Sequence, residues 1–321
     1  MWVRCGKYVL KYLSHGDIVL SCVTTPPGEP HMQNDCITRI LCEDYNIHMY
    51  TATTHRLVRH CLRIHEAAPC TSIVFGRAIN AATLLSATLK PDSNQSITYK
   101  ISGTGKIREI HIQADARGNI RGYVANPSAD YDIDGDEITP SRLLGAGFLS
   151  VTRDLGLKEP YSGIIPLRTG DIAMDTAYYL KESEQTPSAI ILGMHFESDG
   201  KLSASGGILI QPFPDADESA LIEIEHTISS LKKPLGASLK DGIDIVSYAS
   251  EIVGNVPLEI LATTPVSFNC RCGREMLLNI LKSMHKDELR DMLEKDHGIE
   301  ITCSFCMEKY YFGENDIAAF L

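Results

Sequence analysis

The sequence has little positive charge, few aromatics and no long apolar run, and each shortage excludes a class of function. Lys and Arg number 30 against 41 Asp and Glu, a formal net charge of −11. Nucleic-acid binding is driven by Lys and Arg neutralising phosphates, and no basic, aromatic-bearing stripe is present, so a nucleic-acid partner is not expected. No stretch approaches the roughly 20 apolar residues needed to cross a bilayer, so no membrane partner is expected either. The N-terminus lacks the basic start, continuous apolar centre and small-residue cleavage site of a secretory signal. Asp17, Glu29, Asp35, Glu43 and Asp44 count against an acid-poor transit peptide. Ten cysteines in 321 residues are too few for a disulfide scaffold. The expected location is cytoplasmic, where thiols are kept reduced.

A hydrophobic content of 44% is enough for a real core, and the length suits about two domains. The most informative stretch is C-terminal. Cys270 and Cys272 stand in Phe268-Asn-Cys-Arg-Cys-Gly-Arg-Glu, and Cys303 and Cys306 in Thr302-Cys-Ser-Phe-Cys. Thiolate is the ligand zinc prefers at a structural tetrahedral site, and two tight pairs supply four ligands with no open position for substrate or water. The spacing therefore predicts one structural zinc ion rather than a catalytic one. Four unrelated buried cysteines, or a structural disulfide pair, are the alternatives; the second fits poorly with a chain that has no secretory signal. Between the pairs, residues 276–281 and 286–295 read as helices, 299–302 as a strand and 309–312 as its return.

Upstream, the predicted class is α+β, with a core of mainly antiparallel sheet and packed helices. Residues 53–64 read as a helix with Leu57, Val58, Cys61 and Leu62 inward. His55, His60 and His65 at five-residue steps do not share a face and read as solvated, not as metal ligands. A helix over 73–89 carries Ala78, Ala81, Ala82, Ser86 and Ala87, small residues suited to close packing. From Ile97 the apolar period becomes two, predicting strands over 97–101, 107–112, 120–125, 147–153, 161–166, 189–196 and 202–211, with a helix over 171–181.

Two motifs fail on inspection. Gly103-Thr-Gly-Lys106 lacks the upstream Gly and following Ser or Thr of a phosphate loop, and reads as a hairpin turn. Asp130-Tyr-Asp-Ile-Asp-Gly-Asp136 starts like a calcium loop, but Ser141 stands where the bidentate Glu is required, so it reads as a solvated acidic loop.

Residues 1–48 are expected to be a poorly ordered extension or a mis-assigned start, with Met49 as a candidate true start. Cys36 and Cys42, six residues apart, are a weak metal signal, and Cys61 and Cys70 are read as buried or idle thiols. The core is assigned to 49–214. Residues 215–264 read as a helical linker broken by Pro234, Gly236, Gly254 and Pro257. Its Leu221, Ile224, Ile228 and Leu231 form an apolar face that the linker cannot bury alone. Residues 265–321 form the cysteine unit, which is too small to be stable from apolar burial by itself.

The unequal C-x-C and C-x-x-C spacing, Tyr310-Tyr-Phe312, Asp316-Ile317, the Gly-rich hairpin at 102–106, Ser183-Glu-Gln185 before Pro187 and Gly206-Gly207 together resemble the heat-shock protein 33 family of redox-regulated chaperones. The resemblance is expected to span about 50–321. Gly273 and Met307 depart from the Ser and Gly usual there, and both spare the ligands.

The resemblance implies a cytoplasmic, ATP-independent holdase rather than an enzyme. It implies a protein silent when reduced and zinc-loaded, activated by oxidants under stress, and a homodimer when oxidised, with unfolded or misfolded client proteins as partners. An oxidant joining Cys270 to Cys272 and Cys303 to Cys306 would consume all four ligands. Arg271 and Arg274 would favour thiolate by their charge, unless they are simply solvated. A constitutive zinc-stabilised adaptor is the main alternative. A thiol oxidoreductase is disfavoured because its C-x-x-C should open a helix, whereas Cys306 runs into a strand.

Overall fold

The structure, a computed structural model, describes residues 34–130 and 140–318 together with the backbone of 2–5 and 8–11. The chain divides into two compact units, Met1–Phe268 and Asn269–Leu321.

In the first unit a short antiparallel pair, β1 (Trp2–Cys5) and β2 (Tyr8–Lys11), precedes the core. The core elements follow as β3 (Cys36–Cys42), β4 (Ile47–Thr53), α1 (His55–Ile64), α2 (Pro69–Ala87), β5 (Ser96–Gly103), β6 (Glu109–Asp115) and β7 (Asn119–Val124). Next come α3 (Pro140–Leu144), β8 (Gly147–Asp154), β9 (Tyr161–Pro166), α4 (Ile172–Ser183), β10 (Ala189–Phe196) and β11 (Leu202–Pro212). The unit ends with α5 (Glu218–Ser230), α6 (Leu235–Lys240), α7 (Ile245–Ile252), β12 (Glu259–Pro265) and β13 (Ser267–Phe268).

Two sheets enclose α2. One has the order β10-β11-β4-β3-β12 and is antiparallel throughout; the other, β13-β7-β6-β5-β8-β9, is antiparallel except for the β13–β7 pair. The period-two pattern predicts the second sheet well. On β5, Ile97, Tyr99 and Ile101 point inward, opposite Ala114, Ile112 and Ile110 of β6. Helix α2 starts with Pro at its first turn and packs against both sheets, which is why it is apolar all round and why its small residues are buried. It corrects the expectation that no apolar run is long enough to cross a membrane. Over 19 residues α2 meets that length and composition, and 94% of its apolar window is buried in the core.

The far face of the five-stranded sheet carries a second apolar cluster. Ile40, Ile47, Met49, Ile191, Ile208 and Ile210 from the strands meet Ile224, Leu231, Leu235, Ile245 and Tyr248 from α5–α7. The amphipathic face expected at Leu221, Ile224, Ile228 and Leu231 is thus packed on the sheet, Ile224 and Leu231 fully buried and the other two partly. Asp217 caps α5 by accepting from the Ser219 N–H, and Asp244 caps α7 by accepting from Val246.

Three expectations are corrected. Residues 36–42, assigned to the extension, form β3 inside the sheet, paired along its length with β4 and β12; a chain begun at Met49 would lack this strand. Residues 259–265, assigned to the helical linker, are strand β12. Two of the three histidines are not solvated: His65, which follows α1, is 5% exposed with its ring against Phe75, and both ring nitrogens of His55 are buried, whereas His60 is half-buried. Residues 12–33, and the acidic loop beyond Asp130, lie outside the described residues.

Candidate metal centre

The second unit is built from α8 (Arg274–Ser283), α9 (Lys286–Asp296), β14 (Gly298–Thr302), β15 (Lys309–Gly313) and α10 (Glu314–Ala318). These are the two helices and the hairpin expected from the sequence. Its buried core is small: Leu277, Leu281, Leu289, Phe312 and Ile317.

Cys270 and Cys272 lie in the segment entering α8, and Cys303 and Cys306 in the turn joining β14 to β15. That turn is closed by the Cys303 N–H donating to the Glu308 carbonyl and the Met307 N–H donating to the Cys303 carbonyl. Met307 has φ of +60°, the left-handed region, which explains why glycine suits this position and methionine is a departure. Gly273 has φ of −171°, extended backbone open to any residue, and a side chain there would meet nothing.

The four sulfurs converge. Sγ of Cys270 is 3.7 Å from that of Cys303, Sγ of Cys272 is 3.3 Å from that of Cys306, and all four lie within 4.8 Å of one another. A tetrahedral zinc site with bonds of about 2.3 Å has sulfurs about 3.8 Å apart, so the donor set fits a thiolate-bound zinc ion. Burial pushes the thiols of Cys272 and Cys306 up, with neighbouring thiols adding to it at Cys306. Four thiolates so close together need a cation to neutralise them. Cys36, Cys42 and Cys61 are not in the cluster; Cys42 and Cys61 are buried, and burial raises the Cys61 thiol to about 12. Cys70, expected to be an idle thiol, is instead disulfide-bonded, and it is buried in the first turn of α2.

Sequence reasoning missed two features. Arg274, read either as a charge favouring the thiolates or as a solvated arginine, is a clamp. It donates to the Tyr311 carbonyl at 2.6 Å, pairs with Asp316 at 2.7 Å and lies 4.5 Å over the Phe312 ring, tying α8 to β15 and α10. Tyr310 places its hydroxyl 3.2 Å from Sγ of Cys272, and that bond holds its phenol well above the ordinary range. Tyr310 alternates with the exposed Tyr311 along β15, and that alternation was the one available signal. After Cys306 the chain enters β15, not the helix an oxidoreductase motif would open.

The match to known proteins covers both units. A family model described as Hsp33 protein matches residues 35–313, beginning ahead of residue 50, where the resemblance was expected to start. The 33 kDa chaperonin of Syntrophotalea carbinolica is 35% identical over 288 residues, covering 89% of this chain and 99% of the relative. That of Citrifermentans bemidjiense is 37% identical over 284 residues, covering 88% and 95%. The crystal structure of the 33 kDa chaperonin, heat shock protein 33 homolog, of Thermotoga maritima superposes with a TM-score of 0.80 at 29% identity, covering 90% of this chain and 98% of the other. Spanning nearly the whole of these relatives, in sequence and in fold, the chain belongs to the Hsp33 family of chaperones.

Proposed function

We propose that this chaperone is a redox-regulated, ATP-independent holdase that binds unfolded or misfolded client proteins in the cytoplasm under oxidative stress, without enzymatic turnover and as a homodimer when oxidised. The observation that carries the reading is the convergence of four sulfurs within 4.8 Å in a unit whose buried core is five side chains. Cys270, Cys272, Cys303 and Cys306 are the proposed ligands of one zinc ion in the reduced form. When bound, the ion supplies a four-point cross-link, on the order of 10 to 16 kcal/mol of folding free energy in comparable units.

The switch acts through the thiols. Each pair gives up two electrons to the oxidant as one S–S bond forms, and the four sulfurs then no longer serve as ligands. In the folded unit Cys270 lies 3.7 Å from Cys303 and Cys272 3.3 Å from Cys306, contacts that run between the pairs. The proposed Cys270–Cys272 and Cys303–Cys306 bonds are therefore products of the unfolding unit, where sequence neighbours meet most often. The Cys270–Cys272 ring spans one residue and is strained, which favours reversal by reductant.

Residues 265–321 serve as the switch and 215–264 as the metastable segment. The support for the second assignment is its cover role. Helices α5–α7 lie over Ile40, Ile47, Met49, Ile191, Ile208 and Ile210, and their displacement would open that apolar face to a client.

The test is zinc content measured beside suppression of aggregation of a chemically unfolded protein, on reduced and peroxide-treated samples. The reading expects about one zinc and no activity when reduced, and lost zinc with activity when oxidised. Zinc retained after oxidation, or equal activity in both states, would leave a constitutive zinc-stabilised adaptor as the better account.

A further inference from the structure

We infer that Tyr310 is a positioning residue of the switch: its hydroxyl donates to the Cys272 thiolate and sets how fast that sulfur is oxidised. The inference rests on the zinc reading of the four thiols. Three observations point to it. The Tyr310 Oη to Cys272 Sγ distance is 3.2 Å, within hydrogen-bond range for sulfur. The ring is fixed, packed against the small core of the second unit beside Ile301, its antiparallel partner on β14. The strand that carries it begins three residues after Cys306, so the hydroxyl is delivered by the same hairpin that delivers the second ligand pair. Cys272 comes from the other side of the unit, ahead of α8. Tyr310 therefore bridges the two halves of the site.

A hydrogen bond to a thiolate withdraws charge from the sulfur and lowers its nucleophilicity, as donors around a metal tune the ligands they touch. The step it governs is attack on peroxide. The sulfur of Cys272 gives an electron pair to one oxygen, the S–O bond forms, and the O–O bond breaks with hydroxide leaving. A second thiolate then attacks that sulfur, forming S–S and expelling a second hydroxide. Two thiolates lose two electrons and one peroxide gains them. With the donor in place Cys272 is a poorer nucleophile at the first step, and the reduced state tolerates background oxidant.

The experiment uses the full-length, reduced protein and its Tyr310→Phe variant, which keeps the ring and removes the hydroxyl. Tyr311→Phe is the control, since the Tyr311 hydroxyl donates instead to the His297 carbonyl. Zinc is first measured in all three; wild-type protein without zinc would sink the zinc reading itself. With zinc present, hydrogen peroxide is added, released metal is followed with a chromophoric chelator, and modified cysteines are located by mass spectrometry. Tyr310→Phe should release metal about fivefold faster, a typical worth of one hydrogen bond, with the excess modification concentrated at Cys272 and Tyr311→Phe unchanged. A release rate equal to wild type, or all four cysteines accelerating in proportion as a merely loosened unit would show, overturns the inference. A second readout needs no oxidant. In cobalt-substituted protein the sulfur-to-metal charge-transfer band should move to lower energy in Tyr310→Phe, and an unmoved band likewise counts against the bond.

Discussion

Replacing Gly236 with alanine should partly activate the protein while it is still reduced and its four thiols intact. Gly236 lies in α6, where the helix meets β10 backbone to backbone. A Cβ there would overlap the carbonyl of Met194, and a Cβ on the facing Gly193 would lie 2.5 Å from the Gly236 nitrogen. Neither neighbour can give way. Met194 is held from behind by α2, its methyl group filling the space above Gly76. The helix must therefore lift by about 1 Å, a gap that forfeits a quarter to a half of each dispersion contact it opens. Overpacking of this kind costs about 1 to 3 kcal/mol. It falls on a six-residue helix anchored chiefly by the buried Leu235.

A cost of that size raises the population of the undocked segment by about 5- to 150-fold. Helices α5–α7 need only a low local stability for this to be visible. The assay is amide hydrogen exchange over 218–252 in reduced protein, with hydrophobic dye binding and zinc content in parallel. Protection should fall across α5–α7, dye binding should rise, and zinc should stay. Unchanged exchange across α5–α7 would refute the reasoning. So would loss of protection throughout α2 and β5–β8, which would mean that the alanine had damaged the core rather than its cover.

Other perturbations separate the two units. Cys303→Ser removes one of the four proposed ligands, and the second unit should lose the helical circular-dichroism signal of α8 and α9 while the thermal transition of the first unit stays. Met307→Gly relieves a left-handed non-glycine residue and should stabilise the zinc-loaded unit by about 1 kcal/mol, read from the chelator concentration needed to unfold it. Asp35 tests the core. It is 4% exposed and accepts from the Leu57 N–H at 2.7 Å, capping α1, and burial raises its carboxyl to about 6. The native state therefore holds a proton that the unfolded state has released, and stability due to this group falls as pH rises from about 4 to about 6. Asp35→Asn cannot titrate, so its stability relative to wild type should climb across that window by on the order of 2 to 3 kcal/mol and then level off. The histidines cancel in this comparison; a flat difference from pH 4 to 7 in denaturant titrations would contradict it.

How far the fold could be read from the sequence follows from how many faces each element buries. Strands β5–β7 have one side on α2, and β8 and β9 on α4, so Ile97, Tyr99 and Ile101 alternate with polar residues and the period-two signal is plain. Strand β3 is buried on both sides. Ile37 faces α2 and Ile40 lies in the cluster under α5–α7, and even Thr38 and Arg39 are covered. Cys-Ile-Thr-Arg-Ile-Leu-Cys therefore shows no alternation, and following Pro26-Pro-Gly-Glu-Pro30 it resembles part of a loose extension. The histidines failed for a related reason. Spacing decides whether His55, His60 and His65 share a metal, but not whether α1 is covered. The four converging cysteines were legible because thiolate pairs are rare and their spacing is chemistry in itself. Tyr310 was not, since which side chain reaches a sulfur depends on the hairpin register that pairs Tyr310 with Ile301, and Arg274 was not, since its partners on β15 and α10 are set by how α8 packs against them.

The covalent route between the switch and the cover passes through β12 and β13, and this makes the corrected boundary at 259–265 matter for mechanism. Had this stretch been helical linker, loss of the cysteine unit would free α5–α7 at once. Instead β12 is an edge strand laddered onto β3 from Glu259 to Pro265, with a bulge between Ile260 and Ala262. The buried Arg39 binds it further, donating to Thr264 Oγ1 at 2.8 Å and to the Ala87 carbonyl at the end of α2. The Asp35 carbonyl accepts from the Val266 N–H, three residues before the second unit begins. In the proposed switch, unfolding of the second unit would reach the cover by way of β13, paired with β7 at Ser267 and Phe268, and then by unzipping β12 from Pro265 toward the bulge. Edge strands lose their ladder on one side only, and a bulge already interrupts it. In that proposal, strand β12 is the step at which a local loss of ligands becomes, or fails to become, an exposed apolar face.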